Sequence, residues 1–293
     1  MVKQAKPFVK WAGGKTQLLH EIRAKYPAEL GTSITKYAEP FVGGGAVLFD
    51  VLANYKLDAV YISDINRDLI SVYQVVCDCA EELICLLEKM QDTYYCADET
   101  QQKLYYYSMR ERYNTKQADK IEHAAQFIFL NRTCFNGLYR VNARGQFNVP
   151  MGSYKKPVIC DAENLHAVSH SLKNVQIVCA DYQQVCDFID DKTFAYFDPP
   201  YRPLSQTSNF KAYAREDFCD LQQMQLAHFI DDMTEKGAVV LVSNADPKNT
   251  NETDDFFDHL YARHNILRVN ASRAINSVGA SRGKVRELLI CNT

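Results

Sequence analysis

The chain has 293 residues, 47% of them hydrophobic, and a formal net charge of −3. This length and apolar content allow one large domain with an insertion, or two domains, around a sizeable core, and the charge excludes a uniformly basic nucleic-acid binder. No apolar run reaches the roughly 20 residues of a spanning helix, and MVKQAKPF lacks the apolar stretch of a signal peptide, so a cytoplasmic protein without membrane association is expected.

The average charge hides segregation. Residues 101–160 hold ten Lys/Arg against three Asp/Glu, while 181–260 hold six against sixteen. Arg263 to Arg286 adds six basic residues and no acid, and the first fifteen residues carry four lysines. These three basic regions read either as solvated faces or as walls of one phosphate-binding cleft. The ten cysteines include no C-x-x-C pair and no histidine at zinc spacing, so reduced core thiols and no metal are expected.

In chain order, FVKWAGGKTQLL (Phe8–Leu19) ends like a phosphate loop, but the first glycine of G-x-x-x-x-G-K-[ST] would fall at Val9. A β-branched residue cannot make that turn, so Lys15 has another use. Gln17 to Tyr26 reads as a helix ending before Pro27. ITKYAEPFVGGGAVLFDVLA reads as a short strand, a turn at Gly43, Gly44 and Gly45, and a helix from about Ala46, the unit that sets a helix N-terminus beside a ligand. A second strand, Ala59 to Ile62, ends at Asp64, about 20 residues on, where a carboxylate meets ribose hydroxyls in nucleotide-binding sheets. Leu48 stands where a dinucleotide fingerprint needs its third glycine. That favours a single adenosine with a short tail over a pyrophosphate; a glycine turn without ligand is the other reading.

Apolar residues recur at helical spacing over Leu69 to Met90, Leu104 to Tyr113 and Ala124 to Leu130. Periodicity then fails in NRTCFNGLYRVNARGQFNVPMGSYKKP, Asn131 to Pro157, which reads as a functional loop or hairpin. Strand-like VQIVCAD, TFAYFDPPY, AVVLVSN and ELLICN follow, with a helix over Asp217 to Lys236. The alternation predicts an α/β fold, a doubly wound, mainly parallel sheet. A mostly helical insertion over 71–160 would interrupt a catalytic domain of 1–70 and 161–293.

The corner FAYFDPPY carries the chemistry. A hydrophobic strand stops at Asp198, and Pro199 and Pro200 stiffen the chain and supply carbonyls without competing N–H donors. A planar amine held by the Asp198 carboxylate and the Pro199 carbonyl is drawn toward tetrahedral geometry, freeing its lone pair, while Tyr201 stacks on the attached ring. A plain turn would also explain D-P-P, but not its place at the carboxyl end of a strand with an aromatic behind it.

In order, K-W-A-G-G-K, E-P-F-V-G-G-G-A, the aspartate after the next strand, N-R-x-x-x-N-G-L-x-R, D-P-P-Y and S-R-G-K-V-R-E-L-L span nearly the whole chain. This set resembles the Dam-type, D12-class adenine-N6 DNA methyltransferases, often GATC-specific. The resemblance implies the class I S-adenosylmethionine-dependent methyltransferase fold, with 71–160 as the target-recognition domain. It implies S-adenosyl-L-methionine as methyl donor, S-adenosylhomocysteine as product, and double-stranded DNA as substrate, without an obligate protein partner. By resemblance Trp11, Lys15, Asp64 and Asp198 contact the donor, Phe41 and Gly43 to Gly45 wall its pocket, and Asp181 approaches its adenine. Lys10 is similar to a lysine that reads a guanine. Asn136, Leu138, Arg140 and Pro150 match target-contacting positions, Leu138, Arg140 and Pro150 those for the later bases. The Arg140 fork suits guanine O6 and N7, a phosphate contact being the other reading. Tyr139 within N-G-L-Y-R and the acidic balance depart from the family pattern. The expected reaction is direct transfer to a flipped adenine; the alternative is an RNA or protein amine methyltransferase with the same corner.

Overall fold

The computed structural model describes residues 4–202, 218–272 and 284–293. The chain packs as two compact units, the first of residues 1–14, 43–54 and 64–179, the second of 15–42, 55–63 and 180–293.

The first unit is mainly helical. Its elements are α2 (Ala46–Asn54), α3 (Arg67–Asp78), α4 (Ala80–Cys96), α5 (Glu99–Thr115), α6 (Lys120–Thr133), α7 (Ala162–Leu172) and strand β3 (Val175–Cys179). The starts of α3, α5 and α6 are written in their caps. Asn66 accepts from the Leu69 N–H, Asp98 and Gln101 form a reciprocal capping box, and Asp119 accepts from the N–H groups of Ile121 and Glu122. Helix α6 is buried from Ala124 to Leu130 on every side, and α3, α4 and α5 pack around it. A helix apolar all round belongs at the centre of such a bundle. The continuous apolar pattern of Leu69 to Met90 is two helices, because Cys79 leaves helical geometry at φ −132°, ψ 41°.

The second unit holds α1 (Leu19–Arg23), β1 (Lys36–Glu39), most of β2 (Ala59–Asp64), β4 (Thr193–Phe197), α8 (Asp220–Glu235), β5 (Val239–Ala245), α9 (Phe256–Leu260), β6 (Asn265–Ser272) and β7 (Lys284–Cys291). The seven-stranded sheet runs β3-β2-β1-β4-β5-β7-β6. β1 pairs in parallel with β2 and β4, and β4 with β5, while β7 runs antiparallel to β5 and β6. All five residues of β4 are buried, the continuous apolar run of a strand covered on both faces. Parallel pairing brings the carboxyl ends of β1, β2, β4 and β5 to one edge, where ligands of open α/β sheets bind.

Two further expectations need correction. The helix expected over Gln17 to Tyr26 is a 3-10 turn, Lys15–Gln17, followed by only Leu19–Arg23. Strand β6 and helix α7 carried no clear pattern, β6 because polar and apolar residues mix along an edge strand. All ten cysteines are free thiols, yet only Cys134 and Cys291 are buried, since Cys85 and others lie off the apolar stripes of their helices. The Asp217 start of the expected helix and the Ser281–Gly283 part of the last motif lie outside the described residues.

Candidate active site and DNA interface

In the first unit, the chain after Val42 turns through the three glycines into α2. Gly43 has φ +48° and Gly45 φ +73°, both left-handed values that favour glycine. A Cβ on Gly43 would stand 2.8 Å from Trp11 Cδ1, and one on Gly45 2.6 Å from the Tyr73 hydroxyl. The turn is thus shaped against the half-buried Trp11 ring. Asp64 supports the same turn, with Oδ2 accepting from the Gly43 N–H at 3.2 Å and Oδ1 from the Asn66 N–H at 2.8 Å. Burial raises the Asp64 pKa, opposed by these two N–H groups. The backbone at Gly43 to Gly45 therefore leads into the N-terminus of α2 beside a fixed carboxylate, a cradle suited to a nucleoside.

In the second unit, Asp198 follows β4 directly. Lys15 is 4% exposed, and its ammonium lies 2.8 Å from Asp198 Oδ1. The Ser243 hydroxyl, on β5, donates to that same oxygen at 2.9 Å and is itself hydrogen-bonded to the Tyr196 hydroxyl at 2.8 Å. A buried ammonium needs such a partner, which accounts for the opening G-G-K. The Pro200 carbonyl accepts from Gln223 Nε2 at 3.0 Å, and Gln223 Oε1 accepts from Asn244. Pro199 is buried, and its carbonyl accepts no hydrogen bond among the described residues. Tyr201 donates to Glu287 Oε2 at 2.7 Å, and Lys15 Nζ sits 4.9 Å from its ring centre. Burial, then the neighbouring Asp198 and Glu287 carboxylates, drive the Tyr201 pKa far up, so the phenol stays protonated. Phe41 stacks on Tyr182 at 5.5 Å. Asp181 is exposed and caps the turn Tyr182–Asp187 through the Gln183 N–H.

The residues expected to face DNA gather in the first unit. Cys134 bridges Met151 and Val141 bridges Phe147, so the aperiodic stretch is an irregular hairpin. The Phe135 N–H donates to the Pro150 carbonyl at 2.9 Å and the Asn148 N–H to the Arg140 carbonyl at 3.1 Å. Asn136 takes φ +54°, a left-handed turn position that Asn tolerates. Leu138 and Arg140 are exposed, and Arg140 Nε reaches Asn148 Oδ1 at 2.7 Å. Lys10 lies beside the hairpin, its ammonium 4.1 Å from the Tyr154 ring centre.

Several residues escaped the sequence reading. Asn131 accepts from the Lys10 N–H at 2.8 Å and donates to the carbonyls of Lys10 and Gly137, and Arg132 donates to the Phe8 carbonyl. These contacts explain the N-R that opens the hairpin motif. Ser243, Gln223 and Tyr196 were silent because each is an ordinary residue in an ordinary element. The basic run from Arg263 also has an internal explanation: Arg268 and Arg286 both approach the fully buried Asp246, at 3.2 and 3.3 Å.

The family model for D12 class N6 adenine-specific DNA methyltransferases matches residues 11–275. The chain belongs to that family. It is therefore an adenine-specific DNA methyltransferase. The chain is 47% identical over 293 residues to the type II methyltransferase M.MjaIII of Methanocaldococcus jannaschii, covering 99% of both proteins. It is 37% identical over 292 residues to the type II methyltransferase M1.LlaDCHI of Lactococcus lactis, covering 98% of this chain and 95% of the relative. It is 38% identical over 288 residues to the DNA adenine methylase of Escherichia coli K12, with the same coverages. The D12 enzyme requires a methyl donor. Among its described residues no helix is long and apolar enough to cross a membrane and no cluster of His, Cys, Asp or Glu is arranged to hold a metal ion.

Proposed function

We propose that this enzyme methylates N6 of adenine in duplex DNA, within GATC, using S-adenosyl-L-methionine and a base extruded from the helix. Trp11, Gly43 to Gly45 and Asp64 would hold the nucleoside of the donor, with Lys15, Phe41, Asp181 and Asp198 also assigned to it. The cradle fits that assignment, since a Cβ on Gly43 would collide with Trp11 and the Asp64 carboxylate is already oriented by backbone donors. Bound there, S-adenosylmethionine supplies a methyl group already activated by a sulfonium charge.

What the chain adds is alignment and hydrogen bonding. Lys15 and Ser243 both hold Asp198 through Oδ1, and Oδ2 would accept an amine N–H. Among the described residues the Pro200 carbonyl is engaged by Gln223 while that of Pro199 accepts nothing, so Asp198 and Pro199 would form the acceptor pair. With both amine hydrogens accepted, the nitrogen lone pair leaves conjugation with the ring. The Tyr201 ring, fixed through Glu287, offers a stacking face for the extruded base. Residues 71–160 act as the target-recognition domain, with Lys10, Asn136, Leu138, Arg140 and Pro150 contacting the site. The observation that carries the proposal is the one-sided restraint of Asp198.

The test is incubation with labelled S-adenosylmethionine and a plasmid, then digestion with nucleases that cut GATC only when its adenine is, or is not, methylated. Protection at GATC supports reaction and site together. Incorporation without protection discards the site, and labelling of RNA or protein in place of DNA discards the substrate.

A further inference from the structure

We infer that Tyr139 is a positioning residue that fixes the hairpin backbone from which Leu138 and Arg140 project, with Asp68 as its anchor; this rests on the reading of those two residues as base contacts. The backbone at Leu138 takes φ −69° and ψ 139°, a polyproline-like conformation outside any strand. Leu138 and Arg140 are exposed while Tyr139, between them, is half-buried. Whatever holds Tyr139 inward therefore fixes the short stretch of backbone from which its two exposed neighbours project.

Tyr139 is held at both ends. Its hydroxyl donates to Asp68 Oδ2 at 2.8 Å, and the Tyr113 hydroxyl donates to the same oxygen at 2.8 Å. His123 Nε2 lies 3.7 Å from Asp68 Oδ1. Three helices thus converge on one carboxylate, with Asp68 on α3, Tyr113 on α5 and His123 on α6. The Tyr139 ring is stacked on Trp11 at 5.5 Å and 27°, and packs against Phe127 at 5.4 Å and Phe147 at 5.9 Å. Trp11 is also the ring that shapes the turn at Gly43. One tyrosine thus ties the base-reading segment to the bundle through its hydroxyl and to the donor cradle's tryptophan through its ring.

The experiment compares the full-length enzyme with its Tyr139→Phe and Asp68→Asn variants. It measures kcat/KM on a GATC duplex and on duplexes altered by one base pair at each of the later positions. Arg140→Ala and the double variant Tyr139→Phe with Arg140→Ala complete a cycle, and S-adenosylhomocysteine binding is followed by calorimetry. Tyr139→Phe keeps the ring, so donor analogue binding should stay within about twofold while discrimination at the later bases falls about tenfold, the scale of a lost hydrogen bond. Asp68→Asn should reproduce that fall, and in the double variant discrimination should be no lower than in Arg140→Ala alone. A uniform loss of rate on all duplexes, or lower thermal stability with discrimination unchanged, would overturn the inference. Methylation by the unaltered enzyme with no preference among the duplexes would instead sink the base-contact reading itself, and that result is visible before any variant is made.

Discussion

At the D-P-P-Y corner, polar side chains hold a polar group; in the hairpin, aromatic rings surround Tyr139, the half-buried side chain between two exposed ones. Asp198 has Lys15 and Ser243 on one oxygen, backed by the buried Tyr196, and Pro200 is pinned by Gln223. Tyr139 has Trp11, Phe127 and Phe147 around its ring and Asp68 on its hydroxyl. Chemistry needs an acceptor fixed in direction, which hydrogen bonds supply. Reading a groove needs side chains free to face outward from a base that does not move, which packing supplies.

The sharpest way to break the comparison is Asp198→Ala. It should lower methyl transfer by about 10²–10³-fold, the usual scale for loss of a preorganised electrostatic group, with DNA retardation on a gel retained; near-normal incorporation of labelled methyl would remove the corner from the reaction. Next comes Gly43→Ala, which forces a side chain into left-handed backbone at a cost of roughly 1–2 kcal/mol and pushes against Trp11. Calorimetry should show S-adenosylhomocysteine binding weakened about tenfold, by the same conversion, and unchanged affinity would clear the glycine turn of any role in the donor site. On the hairpin, Arg140→Ala should cost about 1–3 kcal/mol of discrimination at one base pair, measured as a ratio of kcat/KM values. An equal loss at every duplex would make Arg140 a phosphate contact. Ser243→Ala should be milder, about a fivefold fall in kcat with little change in KM, since it frees Asp198 to turn without removing it.

The smallest effect is a pH dependence of stability. The His123 imidazole and the two phenols hold the Asp68 carboxyl well below the usual carboxylate range, against the opposing effect of burial, and Lys116 adds to the lowering. A depressed folded pKa means stability that is present above the unfolded value of about 3.9 and is lost as pH falls through it toward the folded value. Denaturant titrations should therefore show the advantage of the unaltered enzyme over Asp68→Asn at pH 6 and its decline below about pH 4. An advantage that grows on acidification would reverse the sign of the argument.

How legible each region was follows from how it is held. The glycine turn, the aspartate after β2 and the D-P-P-Y corner were readable because glycine and proline act locally and their spacing survives folding. The sequence reads Lys15 as a donor contact, and in the structure it is the ion-pair partner of Asp198, 183 positions on by the numbering of the two residues. Ser243, Gln223 and Tyr196 could not have been found, because a serine in a strand and a glutamine in a helix look the same whether or not the D-P-P-Y corner lies opposite. Asp68 likewise lies in the first turn of α3, and nothing local to it names two tyrosines 45 and 71 residues away.

The amino-acid order by itself determined the α/β alternation, the start of α2, the strand ends that carry Asp64 and Asp198, and the family to which the chain belongs. All of these depend on hydrophobic period, caps and backbone-restricting residues within a few positions of one another. Only the tertiary structure decided which oxygen of Asp198 is restrained, which carbonyl of the two prolines is engaged, and which way Tyr139 turns. Those are contacts between side chains distant in sequence, chosen by packing once the helices and the sheet exist, and no local pattern encodes them.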